Sequence, residues 1–496
     1  MQKSFTHLNR FMGSVLFFRL IVFALIISAV WIALSGQYPM AFDEDFHLGL
    51  IRLYASHAWP FFSGQPANAD AYGAVARDPS FLYHYLMSFP YRVICLFTND
   101  NSLQVLLLRA LNIALFASCL PLFRRLLRTA GGSPAVVNAC LAIFILLPIS
   151  PLLAAQINYD NLLLPVTALT LLLTLRLRKL AGATKLLGLL TVIDLGIFGS
   201  LIKFAFLPIF FAILLWLLVT NRHALKQPHG LRMSIEKAVR CKRGILLLTL
   251  FLMLTVLGFN RYGVNLIRYH DPVPDCGKVL SLSHCANYGP YIRDYNYGIN
   301  KSNFKTTPYD FSKEWLYGMW LRTMFAVDGP KTQYETRGPF IIPANAILVL
   351  LGLGLLALLL KGWQIWRPMA ASSSLFVLVS VAYVAALWLQ EYKAFAHTGF
   401  PVAINGRYLL PVSLLVMLLA ARALARLLGP RPLIKSAVLL VSISSLMIGG
   451  GALTYILRSN DTWYWNSRIV RTANHGVQRV LGPITPGNDQ PQAYLR

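Results

Sequence analysis

Three adjacent carboxylates, Asp43, Glu44 and Asp45, followed closely by His47, Arg52 and His57, stand directly after the first long apolar run of the chain. Charge placed where a helix leaves a bilayer is costly unless water or a ligand compensates it. If this stretch caps a cavity at the membrane surface, its carboxylates can act as a general base or hold a divalent ion. The plainer reading is a hydrated loop whose acids mark the non-cytoplasmic side.

Three later stretches carry the same kind of chemistry. In the short turn from Gln156 to Asn161, Asp160 with Asn158 brings an oxygen-rich group to the surface that holds Asp43; Asn and Asp also simply favour such turns. Lys203 splits an otherwise overlong apolar segment between Leu201 and Pro208, at a depth suited to a lipid phosphate, where a lysine can equally snorkel to the surface. Arg407 follows Gly406 at the mouth of a late apolar run and precedes Tyr408, and a guanidinium there can fork onto a phosphate. Glu391 and His397 add polar candidates in the same loop.

A helical membrane bundle must position these groups. The 496 residues are 56% hydrophobic and 13% charged, with a mean hydropathy of +0.56, which excludes an ordinary soluble protein. With about 20 residues per spanning helix, the apolar runs give about eleven crossings. They are Val15 to Leu34, Val105 to Phe123, Val136 to Ala155, Leu162 to Leu175, Leu186 to Leu201, Phe204 to Val219, Ile245 to Phe259, Ile342 to Leu360, Leu375 to Leu389, Leu409 to Ala421 and Ala437 to Leu457. The fold class is thus an all-α polytopic membrane protein.

Sidedness follows from the basic clusters Arg124 to Arg128, Arg176 to Lys185, Arg222 to Arg243 and Arg422 to Lys435, all of which thread to the side of the N-terminus. By the positive-inside rule that side is cytoplasmic. The net charge of +26 therefore reports topology and anionic lipid, and the apolar context argues against nucleic acid. The first apolar run reads as a retained signal anchor.

Four regions are expected: an N-terminal transmembrane module over 1–260, whose first outer loop (35–101) carries the acidic motif; an extracytoplasmic cap over 261–340; C-terminal transmembrane helices over 341–458; and an extracytoplasmic tail over 459–496. In the first loop, Leu48 to Tyr54 and Phe81 to Met87 have amphipathic spacing and predict two helices lying on the membrane surface. Cys276 and Cys285 lie together in the cap, and in an oxidising compartment they would close a small loop as a disulfide. No His or Cys spacing suggests zinc.

Taken together, Asp43-Glu44 with His47 after the first span, Asn158-Tyr-Asp160 after the third, Lys203 in Leu-Ile-Lys-Phe-Ala-Phe-Leu-Pro, and Asn405-Gly-Arg-Tyr-Leu-Leu-Pro411 resemble the GT-C superfamily of integral-membrane glycosyltransferases, in particular bacterial members of uncertain substrate. The likeness runs from about residue 15 to 425 and lies in the order and sidedness of the motifs. It implies an inner-membrane enzyme that transfers a sugar from a polyprenyl-phosphate carrier, outside the cytoplasm and with inversion, to a glycan, lipid or protein acceptor. It further implies Asp43 as the base, with Glu44 and Asp45 as rivals, and Lys203 and Arg407 as holders of the donor phosphate. Asp45, His47, Asn158, Asp160, Tyr408 and His397 are the remaining candidates for substrate contact. Some relatives use a divalent ion, Mg or Mn, between first-loop and second-loop acids; Asp43 and Asp160 permit one and nothing demands it. The alternatives are a lipid-linked glycan ligase or polymerase, which would lean on Arg407 and His397, and a transporter or flippase of an amphipathic anion.

Overall fold

The structure, a computed structural model, describes residues 2–40, 43–222, 236–237, 240–300, 307–324, 340–366, 370–458 and 467–484. Every regular element among them is helical. Among the described residues, ten helices are long and apolar enough to cross a membrane, from Val15–Ser35 to Leu433–Arg458. The chain is a multi-pass membrane protein of the all-helical class. Most of the expected basic cluster Arg222 to Arg243 lies outside the described residues.

All the expected crossings coincide with these helices except Val136 to Ala155. There the helix Pro134–Leu146 stops at Leu147, which sits at φ −64°, ψ 124°, and the short helix Ile149–Ala154 follows. Pro148 is the cause, because a residue before proline is driven out of the α region. The two pieces still make one passage along the helix Asn101–Thr129. At one level Arg124 donates to Asn138 at 3.0 Å; about 18 Å further along, at 1.5 Å per residue, Asn112 accepts from the backbone of Asn158 at 3.3 Å.

The two amphipathic stretches of the first loop form the helices Glu44–Ala55 and Leu82–Phe97. They pack together through Leu48, Ile51, Tyr83 and Met87, which belong to the main core. Arg92 locks them by donating to the carbonyls of Ala55 at 2.9 Å and Tyr54 at 3.0 Å. Leu96 and Phe97 stay 81% and 83% exposed, as suits a helix lying on lipid.

The helix Lys242–Gly258 continues past residue 260, through the π-helical turn Phe259–Gly263, into Val264–Tyr269. This extension carries Arg261 beneath the first loop, fully buried, where it donates to the carbonyls of Pro60 at 2.8 Å, Val75 at 3.1 Å, and Ala76. In the cap, Cys276 and Cys285 are joined as a disulfide. The helix Pro308–Met324 seats Phe311, Trp315 and Met319 against Phe395 and Ile404, and Trp315 Nε1 donates to the buried Glu391. Within the tail, the helix Arg468–Leu481 is tied to the first span by Asn474, whose Oδ1 accepts from Trp31 Nε1 at 2.7 Å.

Candidate active site

The site is built on a buried amide scaffold. Asn112 Oδ1 accepts from Tyr83 Oη at 2.8 Å, Asn161 Nδ2 at 3.0 Å and the Asn158 backbone at 3.3 Å. Asn161 Nδ2 also donates to the Gln156 carbonyl at 2.8 Å. All three asparagines are fully buried, and buried amides with so many partners hold one geometry. Asn158 Oδ1 then accepts from Asp160 N at 2.9 Å. That fixes Asp160 as the first residue of the helix Asp160–Arg176, where the helix dipole favours a carboxylate.

Lys203 meets this carboxylate from another part of the chain. The helix Gly182–Ile202 ends at Lys203 in extended geometry, before the turn Phe204–Phe206 and the helix Leu207–Asn221. Its Nζ donates to Asp160 Oδ1 at 2.7 Å and lies 4.5 Å and 4.6 Å from the ring centroids of Tyr159 and Tyr408. At 5% exposure Lys203 does not snorkel to water: the ammonium is held inside the protein, between two tyrosine faces.

Arg407 arrives on the turn Gly406–Leu409, which Asn405 caps by accepting from Arg407 N at 3.0 Å. The preceding residue has to be glycine. A Cβ there would stand 2.7 Å from Thr323 N and 2.9 Å from the Met319 carbonyl, so the turn fits only by backbone approach to the cap helix. The guanidinium is 3% exposed. Its Nη2 lies 3.4 Å from Asp43 Oδ2 and donates to Tyr408 Oη at 3.3 Å, while Nε is 3.8 Å from Asp160 Oδ2.

Asp43, Asp160, Lys203, Arg407 and Tyr408 therefore converge on one spot, although they come from four separate stretches of sequence. The Asp43 side chain is 64% exposed, and its backbone is left-handed, φ 65°, a conformation that aspartate tolerates better than most residues. A cavity of about 570 Å³ opens beside it, lined also by Asp45, His47, Tyr38, Phe46, Tyr72, Tyr159 and, from the cap, Tyr288.

Glu44, expected beside Asp43 as a second candidate base, takes a different position. It is fully buried and accepts from Arg109 Nε at 2.8 Å, Arg109 Nη2 at 2.7 Å, Met40 N at 2.8 Å and Ile157 N at 3.3 Å. A carboxylate with all its lone pairs engaged has no capacity to accept a substrate proton; Glu44 anchors the loop instead. His397 is not brought to the cluster either. It is exposed and lies against Gly298 of the cap. Several residues of the site were not singled out from the sequence, among them the buried Arg109, Asn112 and His84. Arg109 had a local signal, a lone charge inside an apolar run; the other two had none.

A divalent ion does not fit these donors. The described residues assemble no group of three His, Cys, Asp or Glu side chains able to hold one, and the carboxylates of Asp43 and Asp160 already face Arg407 and Lys203, whose positive charges would repel a metal.

His47 and His84 form a buried pair in the cavity wall. Burial, reinforced by His84, Arg407 and Lys203, holds His47 well below the usual imidazole range, and burial pushes His84 down to about 3. Both are therefore neutral when folded, whereas in the unfolded chain they take up protons near pH 6.5. Below that value the unfolded state binds more protons, so acid costs stability, by up to about 1.4 kcal/mol per pH unit for each histidine. Thermal unfolding in nanodiscs should show a midpoint that falls between pH 6.5 and 4, with a shallower fall in His84→Gln; the same slope in both would contradict buried neutral histidines.

No family model matches the sequence, and no curated protein matches it. Among solved structures, the chain is similar to the crystal structure of ArnT from Cupriavidus metallidurans bound to undecaprenyl phosphate, with 15% identity, 95% of this chain and 70% of that chain covered, and a TM-score of 0.44.

Proposed function

We propose that the protein is a membrane glycosyltransferase that moves a sugar from a polyprenyl-phosphate carrier to a hydroxyl of an extracytoplasmic acceptor, with inversion at the anomeric carbon. The observation that carries this reading is the charge arrangement beside Asp43, the acid that lines the cavity. Two buried cations, Lys203 and Arg407, share the one buried carboxylate of Asp160, and the acid that balances the second cation, Asp43, stands open to solvent. An incoming phosphate can take up that second positive charge with charge-assisted hydrogen bonds, while Asp43 turns to the acceptor.

The chemistry then divides among the residues. The acceptor hydroxyl attacks the anomeric carbon from the face opposite the phosphate, and Asp43 takes its proton. The bond from the anomeric carbon to the phosphate oxygen breaks with its electron pair, and Lys203 and Arg407 stabilise the charge that develops on that oxygen. The buried tyrosine faces around Lys203 keep water from weakening the interaction.

Sidedness supports the same reading. The helix Asn101–Thr129 ends with Arg128, Asp160–Arg176 ends with Arg176, and Leu410–Leu427 ends with Arg426, each far from the site at its other end. With basic ends cytoplasmic, the site faces the extracytoplasmic side of the inner membrane. Binding of undecaprenyl phosphate to the purified protein tests the phosphate site. Lys203→Ala should weaken that binding about tenfold to a hundredfold, the worth of one charge-assisted bond; unchanged affinity would overturn the role of Lys203.

A further inference from the structure

The cavity beside Asp43 has a cation at its far end that the reaction just described leaves unused. Asp45, Phe46, Gly49 and Arg52 line it from the helix Glu44–Ala55. Spaced three and four residues apart, they share one helix face, which forms the cavity floor. Gly49 lets a wall close on that floor, because a Cβ there would collide with the ring of Tyr72. Asp43 stands at the N-terminus of this helix, and Arg52 comes eight residues after Glu44, about 12 Å along the axis at 1.5 Å per residue.

Arg52 is held by neutral partners. Its Nε donates to Tyr91 Oη at 3.1 Å, and its Nη2 donates to Asn101 Oδ1. Tyr91 belongs to the helix Leu82–Phe97 and Asn101 opens the helix Asn101–Thr129, so two other elements fix the guanidinium. These bonds use its side edge, where the Nε and Nη2 hydrogens run parallel. The end edge, one N–H from each Nη, has no partner among the described residues; it is a fork that fits two oxygens of a carboxylate or phosphate. Neither partner is an acid, so the tie itself makes no use of the positive charge. No other lysine or arginine is among the described residues that line the cavity, and its acids, Asp43 and Asp45, stand at the opposite end. The cavity is polarised along its length.

We propose that Arg52 binds an anionic group of the acceptor, a phosphate or a carboxylate, carried at the end of the acceptor remote from the attacking hydroxyl. The proposal rests on the transferase reading, in which Asp43 marks the attacking end. A separation of about 12 Å exceeds one sugar ring, so the acceptor class is an acidic glycan at least two sugars long. The faces of Phe46, Tyr72 and Tyr288 suit the C–H faces of its rings. A negative group is repelled from Asp43 and Asp45 and drawn to Arg52, so the acceptor enters one way round and a neutral glycan is disfavoured. The phosphate of an anionic phospholipid presents the same chemistry to Arg52 from the bilayer, and the test separates the two sources.

Full-length protein in nanodiscs of phosphatidylethanolamine and phosphatidylcholine, lipids without net charge, is titrated calorimetrically with two matched pairs of probes: maltose 6′-phosphate against maltose, and cellobiouronic acid against cellobiose. At least one acidic probe should bind about tenfold tighter than its neutral partner, the lower end for a charge-assisted hydrogen bond because Arg52 is exposed, and high salt should shrink that ratio. Arg52→Gln should bring the ratio to about one with the neutral probe's affinity unchanged, whereas Tyr91→Phe, which loosens the tie and keeps the charge, should retain most of it. A ratio of about one in the wild-type protein, a ratio that survives Arg52→Gln, or equal losses for acidic and neutral probes in that variant overturns the inference. Loss of the ratio when phosphatidylglycerol replaces the phosphatidylcholine assigns Arg52 to a lipid headgroup and overturns the acceptor role. A wild-type protein that moves no sugar from undecaprenyl-phosphate-linked hexose sinks the transferase reading instead, and the probe ratio still decides whether Arg52 is an anion site.

Discussion

Asp43→Asn should lower turnover by about a hundredfold to ten-thousandfold, the usual contribution of a positioned general base, while leaving undecaprenyl phosphate binding close to wild type. The substitution is chosen to isolate proton acceptance. Asparagine has nearly the same volume, tolerates the left-handed backbone found at this position, and keeps an oxygen toward Arg407 Nη2, 3.4 Å from Asp43 Oδ2. What it lacks is a site for the proton of the attacking hydroxyl. Steady-state transfer rates measured beside carrier affinity separate the two effects. Turnover near that of the wild type would remove Asp43 as the base and pass the role to Asp45, the other acid in the cavity wall.

The second large effect should fall on folding. Arg109→Leu leaves Glu44 fully buried with its charge uncompensated, and breaking a buried pair from one side costs about 3–5 kcal/mol. Arg109 also donates from Nη1 to the carbonyls of Ala33 at 2.9 Å and Gly36 at 2.8 Å, so the exit from the first span loses its anchor with the same substitution. A much lower unfolding midpoint in nanodiscs is expected, together with poor yield. The double variant Arg109→Leu with Glu44→Gln should recover part of the loss, because the stranded charge is gone. An unchanged midpoint in the single variant would mean that the pair does not hold the loop.

The sequence displayed those parts of the site where charge breaks an apolar pattern. Lys203 stands out because an uninterrupted helix through it would be too long for one crossing, and Asp43 and Arg407 because each sits where an apolar run begins or ends. The hidden parts depend on partners distant in the chain. Glu44 and Arg109 are separated by 65 positions and His47 and His84 by 37, and no local period links such residues. That is why Glu44 resembled a free acid beside Asp43. The same limit applies to the fold: the ten long helices follow from apolar length, but the break at Leu147 depended on giving Pro148 its steric weight, and the run of Lys242–Gly258 into Val264–Tyr269 carries polar residues such as Arg261 that are buried only because the first loop folds over them.

The gathering of Lys203 and Arg407 around a carrier phosphate is tested most directly by a structure of the protein determined with undecaprenyl phosphate. The expected result is a phosphate within about 3–4 Å of both Lys203 Nζ and the Arg407 guanidinium, with the carboxylate of Asp43 facing the cavity. A phosphate bound elsewhere, with Lys203 and Arg407 still closed on Asp160 and Asp43, would contradict it.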